Sequence, residues 1–110
     1  INSLHYLPKE IDLFVISLIS RLEDLRALGL VRSKRDYSRR WLGRGPTYLR
    51  DYEHRTGREM LHVAQKTVVT LRSRLCAVAA CVPHQFALEI LDIVDRIDRD
   101  CQTAKVLKRR

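Results

Sequence analysis

The chain is poor in residues that interrupt helices. Its 110 residues hold only four glycines and three prolines, too few for a fold assembled from many tight turns. Alternating β-branched runs, which mark strands, are also missing. The nearest approach, Thr67-Val68-Val69-Thr70, lies inside a longer stripe with helical spacing. These shortages predict an all-α chain. The longest apolar stretch, residues 75–82, falls far short of the roughly 20 residues that span a bilayer. No basic leader followed by an apolar segment is visible, so neither a membrane span nor a signal peptide is expected. Cysteine is scarce: Cys76, Cys81 and Cys101 form an odd set without C-x-x-C spacing, two of them inside the apolar run. That pattern predicts buried thiols in a reducing cytosol. His5, His54, His62 and His84 are scattered, so no metal site is predicted.

Catalytic constellations are missing as well. Asp36, Asp51 and Glu53 stand among arginines, which stabilise their ionised forms and make them poor general acids. Cys76 and Cys81 have no readable base to activate a thiolate, and Ser33 and Ser38 have no His/Asp arrangement. The expectation is a non-enzymatic protein without a cofactor.

What the sequence does contain is positive charge in one place. The net charge is +8, which favours polyanionic partners. Residues 31–58 alone carry nine Lys and Arg against three acids, so most of the excess sits in a quarter of the chain. With 45% hydrophobic and 31% charged residues, the rest suits a single folded domain over residues 1–110 and does not suit disorder.

Five helices are expected. Pro8 can open the first, which places Ile11, Phe14, Val15, Leu18, Leu22, Leu25 and Leu28 on one face and stops at Gly29. Ser33, with Asp36 three residues on, resembles a capping box for a short second helix to about Leu42, with Tyr37, Ser38 and Trp41 inward. Gly43-Arg44-Gly45 breaks it, and Pro46 is suited to begin a third helix that turns Leu49 and Tyr52 inward. After Thr56-Gly57, a hairpin over residues 59–105 pairs a helix bearing Met60, Leu61, Ala64, Thr67, Val68, Leu71, Leu75 and Val78 with one bearing Phe86, Ile90, Ile93, Val94, Ile97 and Cys101. The two join at Val82-Pro83. Asp92–Arg96 and Asp95–Arg99 are acid-before-base pairs at i,i+4.

Residues 33–55 combine a capped helix, a glycine turn and a second helix, the parts of a helix-turn-helix. Ser38 is the small residue for close helix approach, and Thr47, Tyr48, Arg50, Asp51 and His54 are left to face outward. The run resembles the helix-turn-helix of the lambda-repressor-like superfamily in Ser33, Ser38, Leu42-Gly43, Thr47-Tyr48-Leu49 and Tyr52-Glu53. It has one extra residue between Ser38 and Leu49, which lengthens the second helix or the turn. The resemblance implies a cytoplasmic protein of bacterial or phage-like context that binds double-stranded DNA and regulates transcription. Thr47, Tyr48, Arg50, Asp51 and His54 would meet base edges in the major groove, and Ser33, Lys34, Arg35, Arg39, Arg40, Arg44 and Arg55 would meet phosphates.

The architecture expected is this short pair set against a bundle of three longer helices. Leu88, Leu91, Ala77 and Ala80 widen the apolar faces of the last two helices, which suggests a homodimer seam beside the simpler reading of a thick monomeric core. Two other functions fit the charge: a helical interaction module for an acidic protein, with cations spread onto the first helix, and RNA binding by a basic helix.

Overall fold

The computed structural model describes Leu13 and residues 15–54 and 63–108. His5, Pro8, Ile11, Phe14, Arg55, Thr56, Gly57, Met60, Leu61 and His62 lie outside the described residues. Within them the fold is all-α. Helix α1 (Val15–Ala27) precedes a short α2 (Lys34–Asp36), which runs without a break into a π-helical turn (Tyr37–Trp41); α3 (Tyr48–Glu53), α4 (Gln65–Ala79) and α5 (His84–Lys108) follow. No described helix is long and apolar enough to cross a membrane.

Helix α1 buries Val15, Leu18, Leu22 and Leu25, the three-to-four spacing that forms a single apolar stripe. It ends because Gly29 takes a left-handed conformation, φ 76°. The Leu30 amide then donates to the Leu25 carbonyl and the Gly29 amide to that of Arg26, both at 3.0 Å, the paired bonds of a Schellman cap. Helices α4 and α5 form the expected hairpin, burying Thr67, Val68, Leu71, Leu75 and Ala79 from one side and Ile90, Ile93, Val94 and Ile97 from the other. Helix α5 is clamped on both flanks: Asp98 pairs with Arg72 of α4 at 2.9 Å, and Arg96 and Asp100 pair with Asp24 and Arg21 of α1 at 3.0 and 3.3 Å.

Two sequence expectations need correction. The thiols are not buried: Cys81 is exposed in the turn after α4, and Cys76 and Cys101 are half-buried at the edge of the core, beside the buried stripes of α4 and α5. Asp92 and Arg96 do pair, at 3.0 Å, but Asp95 and Arg99 form no ion pair with any described residue.

The short helices are anchored from below. Tyr37 is fully buried, and its hydroxyl donates to the Leu18 carbonyl of α1 at 2.9 Å; burial pushes its phenol pKa up. Trp41 is buried, and its indole Nε1 donates to the Leu30 carbonyl at 3.3 Å. Leu42 and Leu49 complete this part of the core. Ser38 is also fully buried, but its Oγ has no partner among the described residues; its small size is what the position uses. The two buried hydroxyls should therefore respond differently to removal. Tyr37→Phe should lower the unfolding free energy by about 1 kcal/mol, the net worth of one hydrogen bond, whereas Ser38→Ala should not lower it. Urea denaturation of both variants checks this, and a Ser38→Ala loss as large as that of Tyr37→Phe would contradict it.

Candidate functional site

The local structure of residues 33–54 begins with a reciprocal cap. Ser33 is the N-cap, and its Oγ accepts from the Asp36 amide at 3.1 Å. The Asp36 carboxylate reaches back to the Arg32 amide at 2.9 Å, one residue beyond the amide used in the usual box. Arg40 lies one turn on and holds the same carboxylate with Nε and Nη2, the latter at 2.9 Å. The Arg40 hydrogen bond first, and the Arg32 amide second, keep the Asp36 carboxyl below the usual carboxylate range.

From Tyr37 the helix widens. The Leu42 amide donates five residues back to the Tyr37 carbonyl at 3.0 Å, and the Arg44 amide six back to that of Ser38 at 2.8 Å. Gly43 makes this closure with φ 66°, and a Cβ there would also come within 3.3 Å of Thr70 Cγ2 on α4. Because the helix ends at this turn, the carbonyls of Arg39 and Arg40 have no donors from the helix itself. Arg74 of α4 supplies them: its Nη1 donates to both.

The turn then places α3. Thr47 is the N-cap of α3, whose helical residues begin at Tyr48, not at Pro46. The Tyr48 amide is already used by the Gly45 carbonyl at 3.2 Å, so Pro46 belongs to the turn. Thr47 Oγ1 donates to Asp51 at 3.4 Å, and Asp51 is thereby tied to the start of α3 and not to Arg50.

These elements bring five of the expected site residues together. Lys34, Arg35, Thr47, Arg50 and His54, with Pro46, line one cleft of about 430 Å³. A second, of about 520 Å³, shares Arg35 and adds Arg32, Ser33, Asp36, Arg39 and Arg40. Arg35, Arg39 and Arg50 are exposed and form no ion pair with a described residue.

Other expected residues are committed to the fold. Tyr48 does not face outward. It is half-buried against the core, meets the Tyr52 ring edge-on at 5.1 Å, and its phenol is pushed by burial up to about 12. Arg44 turns inward, donating to Thr67 Oγ1 at 2.8 Å with its guanidinium 5.5 Å from the Tyr48 ring centre. The two residues stack on each other because the glycine turn folds Arg44 back over α3. Arg40 is engaged with Asp36 and with the Leu30 carbonyl, the latter at 3.1 Å, and Ser33 is engaged as a cap. Arg55 lies outside the described residues. Sequence reasoning placed Thr67 on the inward stripe of α4 with no sign that its hydroxyl accepts from Arg44, and it missed Arg74; the two brace the segment from 23 to 35 positions away, and no local spacing signals such contacts. It also missed Pro46 and Arg32 as lining residues.

The cap makes a pH-dependent contribution. Because folding lowers the Asp36 pKa, its stabilisation is present above the ordinary carboxylate value of about 3.9 and lost as pH falls through the lowered folded value. Asp36→Asn should be less stable than the native chain by about 0.2–1 kcal/mol at neutral pH, as for an exposed pair. The gap should close in acid. Urea melts across the acid limb read this directly, and a gap that did not vary with pH would contradict the assignment.

No curated protein and no solved structure matches the chain significantly. Residues 18–109, from the first turn of α1 through the end of α5, match a family of unknown function (DUF6626), and the chain belongs to that family.

Proposed function

We propose that this protein binds double-stranded DNA through the face built by α2, the glycine turn and α3, and acts as a small, non-enzymatic transcriptional regulator. The observation that carries this reading is how the arginines are used. On the long helices, Arg21, Arg26, Arg72 and Arg96 are held in ion pairs, while Lys66, Arg99 and Lys105, which form none with a described residue, are spread over α4 and α5. Arg35, Arg39 and Arg50, which form no ion pair with a described residue, stand together on one short unit, beside Lys34 and His54. Concentrated cations of this kind suit a phosphate backbone. A partner recognised through a broad acidic surface would call for free cations on α1, where Arg21 and Arg26 are both paired.

The π-turn is consistent with a helix-turn-helix. A turn closed by i→i+5 bonds holds one residue more than an α-turn, the same excess by which this segment departs from the lambda-repressor-like pattern. In this reading Arg35 and Arg39 neutralise phosphates, and Arg50, flanked by Thr47 and His54, enters the major groove and pairs with guanine O6 and N7. Asp51, bonded to Thr47, fixes the start of α3 and accepts from a cytosine amino group only when that bond opens. Tyr48, Arg40 and Arg44 support these residues from behind.

Fluorescence anisotropy with a mixed set of short duplexes over a salt series tests the proposal. Arg39→Ala should weaken all duplexes alike and reduce the slope of log K against log salt by about 0.9. Arg50→Ala should relax discrimination at one base pair by about 1–3 kcal/mol. Absence of binding at about 50 mM salt, where even non-specific contacts register, would overturn the reading in favour of an acidic protein partner.

A further inference from the structure

We propose that α5 is the seam of a homodimer in which two copies of the helix pack antiparallel about a two-fold axis passing between Asp95 and Arg99. This proposal is independent of DNA binding and rests on the outward face of α5.

The other faces of α5 are occupied. Ile90, Ile93, Val94, Ile97 and Ala104 enter the core. One flank is bound to α4 through Asp98, the other to α1 through Arg96 and Asp100. At about 100° per residue, the strip left over is Leu88, Leu91, Asp95, Arg99, Gln102 and Val106, all exposed. Its apolar members are large and open to solvent: Leu88 is 54% exposed, Leu91 41% and Val106 48%. Single exposed leucines need no explanation, but here they sit at the two ends of one straight strip. Leu88 and Val106 lie 18 residues apart, or five full turns, and so point the same way.

The charged centre of the strip fixes both the occupant and the orientation. Asp92 and Arg96 pair within the helix at 3.0 Å. Asp95 and Arg99 have the same spacing and order, yet form no ion pair with a described residue. Laid antiparallel on a second α5, Asp95 meets Arg99 of the other copy, and the two-fold repeats the pair. The same register sets Leu88 on Val106 and Leu91 beside Gln102. A parallel arrangement would stack Asp95 on Asp95 and Arg99 on Arg99, which like-charge repulsion opposes. The face is therefore self-complementary in one orientation, as an isologous two-fold contact requires.

Sedimentation equilibrium on the full chain, without DNA, tests the seam. The native protein should dimerise reversibly, and Leu88→Lys should yield monomer. Asp95→Arg and Arg99→Asp should each raise the dimer Kd about tenfold, since each loses two symmetric surface pairs and gains like-charge contacts. The combined Asp95→Arg/Arg99→Asp chain restores both pairs in swapped sense, and its Kd should return to within about threefold of native, closer than the uncertainty of a single surface pair. All three side chains are exposed, so the monomer fold should persist, and circular dichroism verifies it for each variant. A native chain that stays monomeric overturns the proposal, as does a dimer indifferent to Leu88→Lys. A charge-swapped chain that associates no better than the single variants overturns the antiparallel register. Because no step involves DNA, failure here leaves the salt-dependent binding test unaffected, and the reverse holds equally.

Discussion

The contact on which the short helices depend is the guanidinium of Arg74 against the carbonyls of Arg39 and Arg40. Where the helix carrying them ends at the Gly43 turn, its last carbonyls have no amide of the helix to accept from. Arg74 covers them from α4, and Gly43 lets α4 come close enough by offering no Cβ to Thr70. Tyr37 and Trp41 tie the other side of the same turn to α1 and to the strand-free link after it, through the Leu18 and Leu30 carbonyls. A segment too short to be a stable helix alone is thus held in place by long helices on two sides.

That bracing determines which charges are available. An arginine that donates to a carbonyl, a hydroxyl or a carboxylate of the fold is fixed in position, as with Arg74, Arg44 and Arg40, and the Asp36 carboxylate also partly neutralises Arg40. What remains on the outer surface of the unit is a smaller group: Arg35 and Arg39 from the widened helix and Arg50 from α3, with Lys34, Thr47 and His54 lining the cleft between them. The same division holds for α5, where acids and bases on the flanks clamp α1 and α4 while Asp95 and Arg99 stay outward. Arg35, Arg39 and Arg50 on the short unit, and Asp95 and Arg99 on α5, thus form no ion pair with a described residue.

Much of this was legible in the sequence. Apolar spacing located α1, α4 and α5, because a helix must bury one stripe and the stripe has a fixed period. Gly29 and Ser33 marked a stop and a start through conformations and hydrogen bonds that few other residues supply as well. Tyr37, Ser38, Trp41 and Leu49 were correctly turned inward for the same periodic reason. Where the sequence misled, the cause was reach. Arg44 looks like its neighbours Arg39 and Arg50, and only the fold reveals that a glycine turn carries it onto Thr67 and the Tyr48 ring. Tyr48 followed Thr47 in a polar run, and its burial depends on that same stacking. Arg74, 34 residues from the carbonyl it caps, leaves no local trace.

The proposed DNA face is built on Arg35, Arg39 and Arg50, the cations of the short helical unit that form no ion pair with a described residue, and it excludes α5. Titrating a short duplex into isotopically labelled protein and following backbone amide shifts tests it most directly. DNA binding by this face should perturb amides clustered at Lys34, Arg35, Arg39, Thr47, Arg50 and His54 and leave the exposed strip of α5 from Leu88 to Val106 unchanged. Shifts concentrated on α5, or no shifts at low salt, would contradict it.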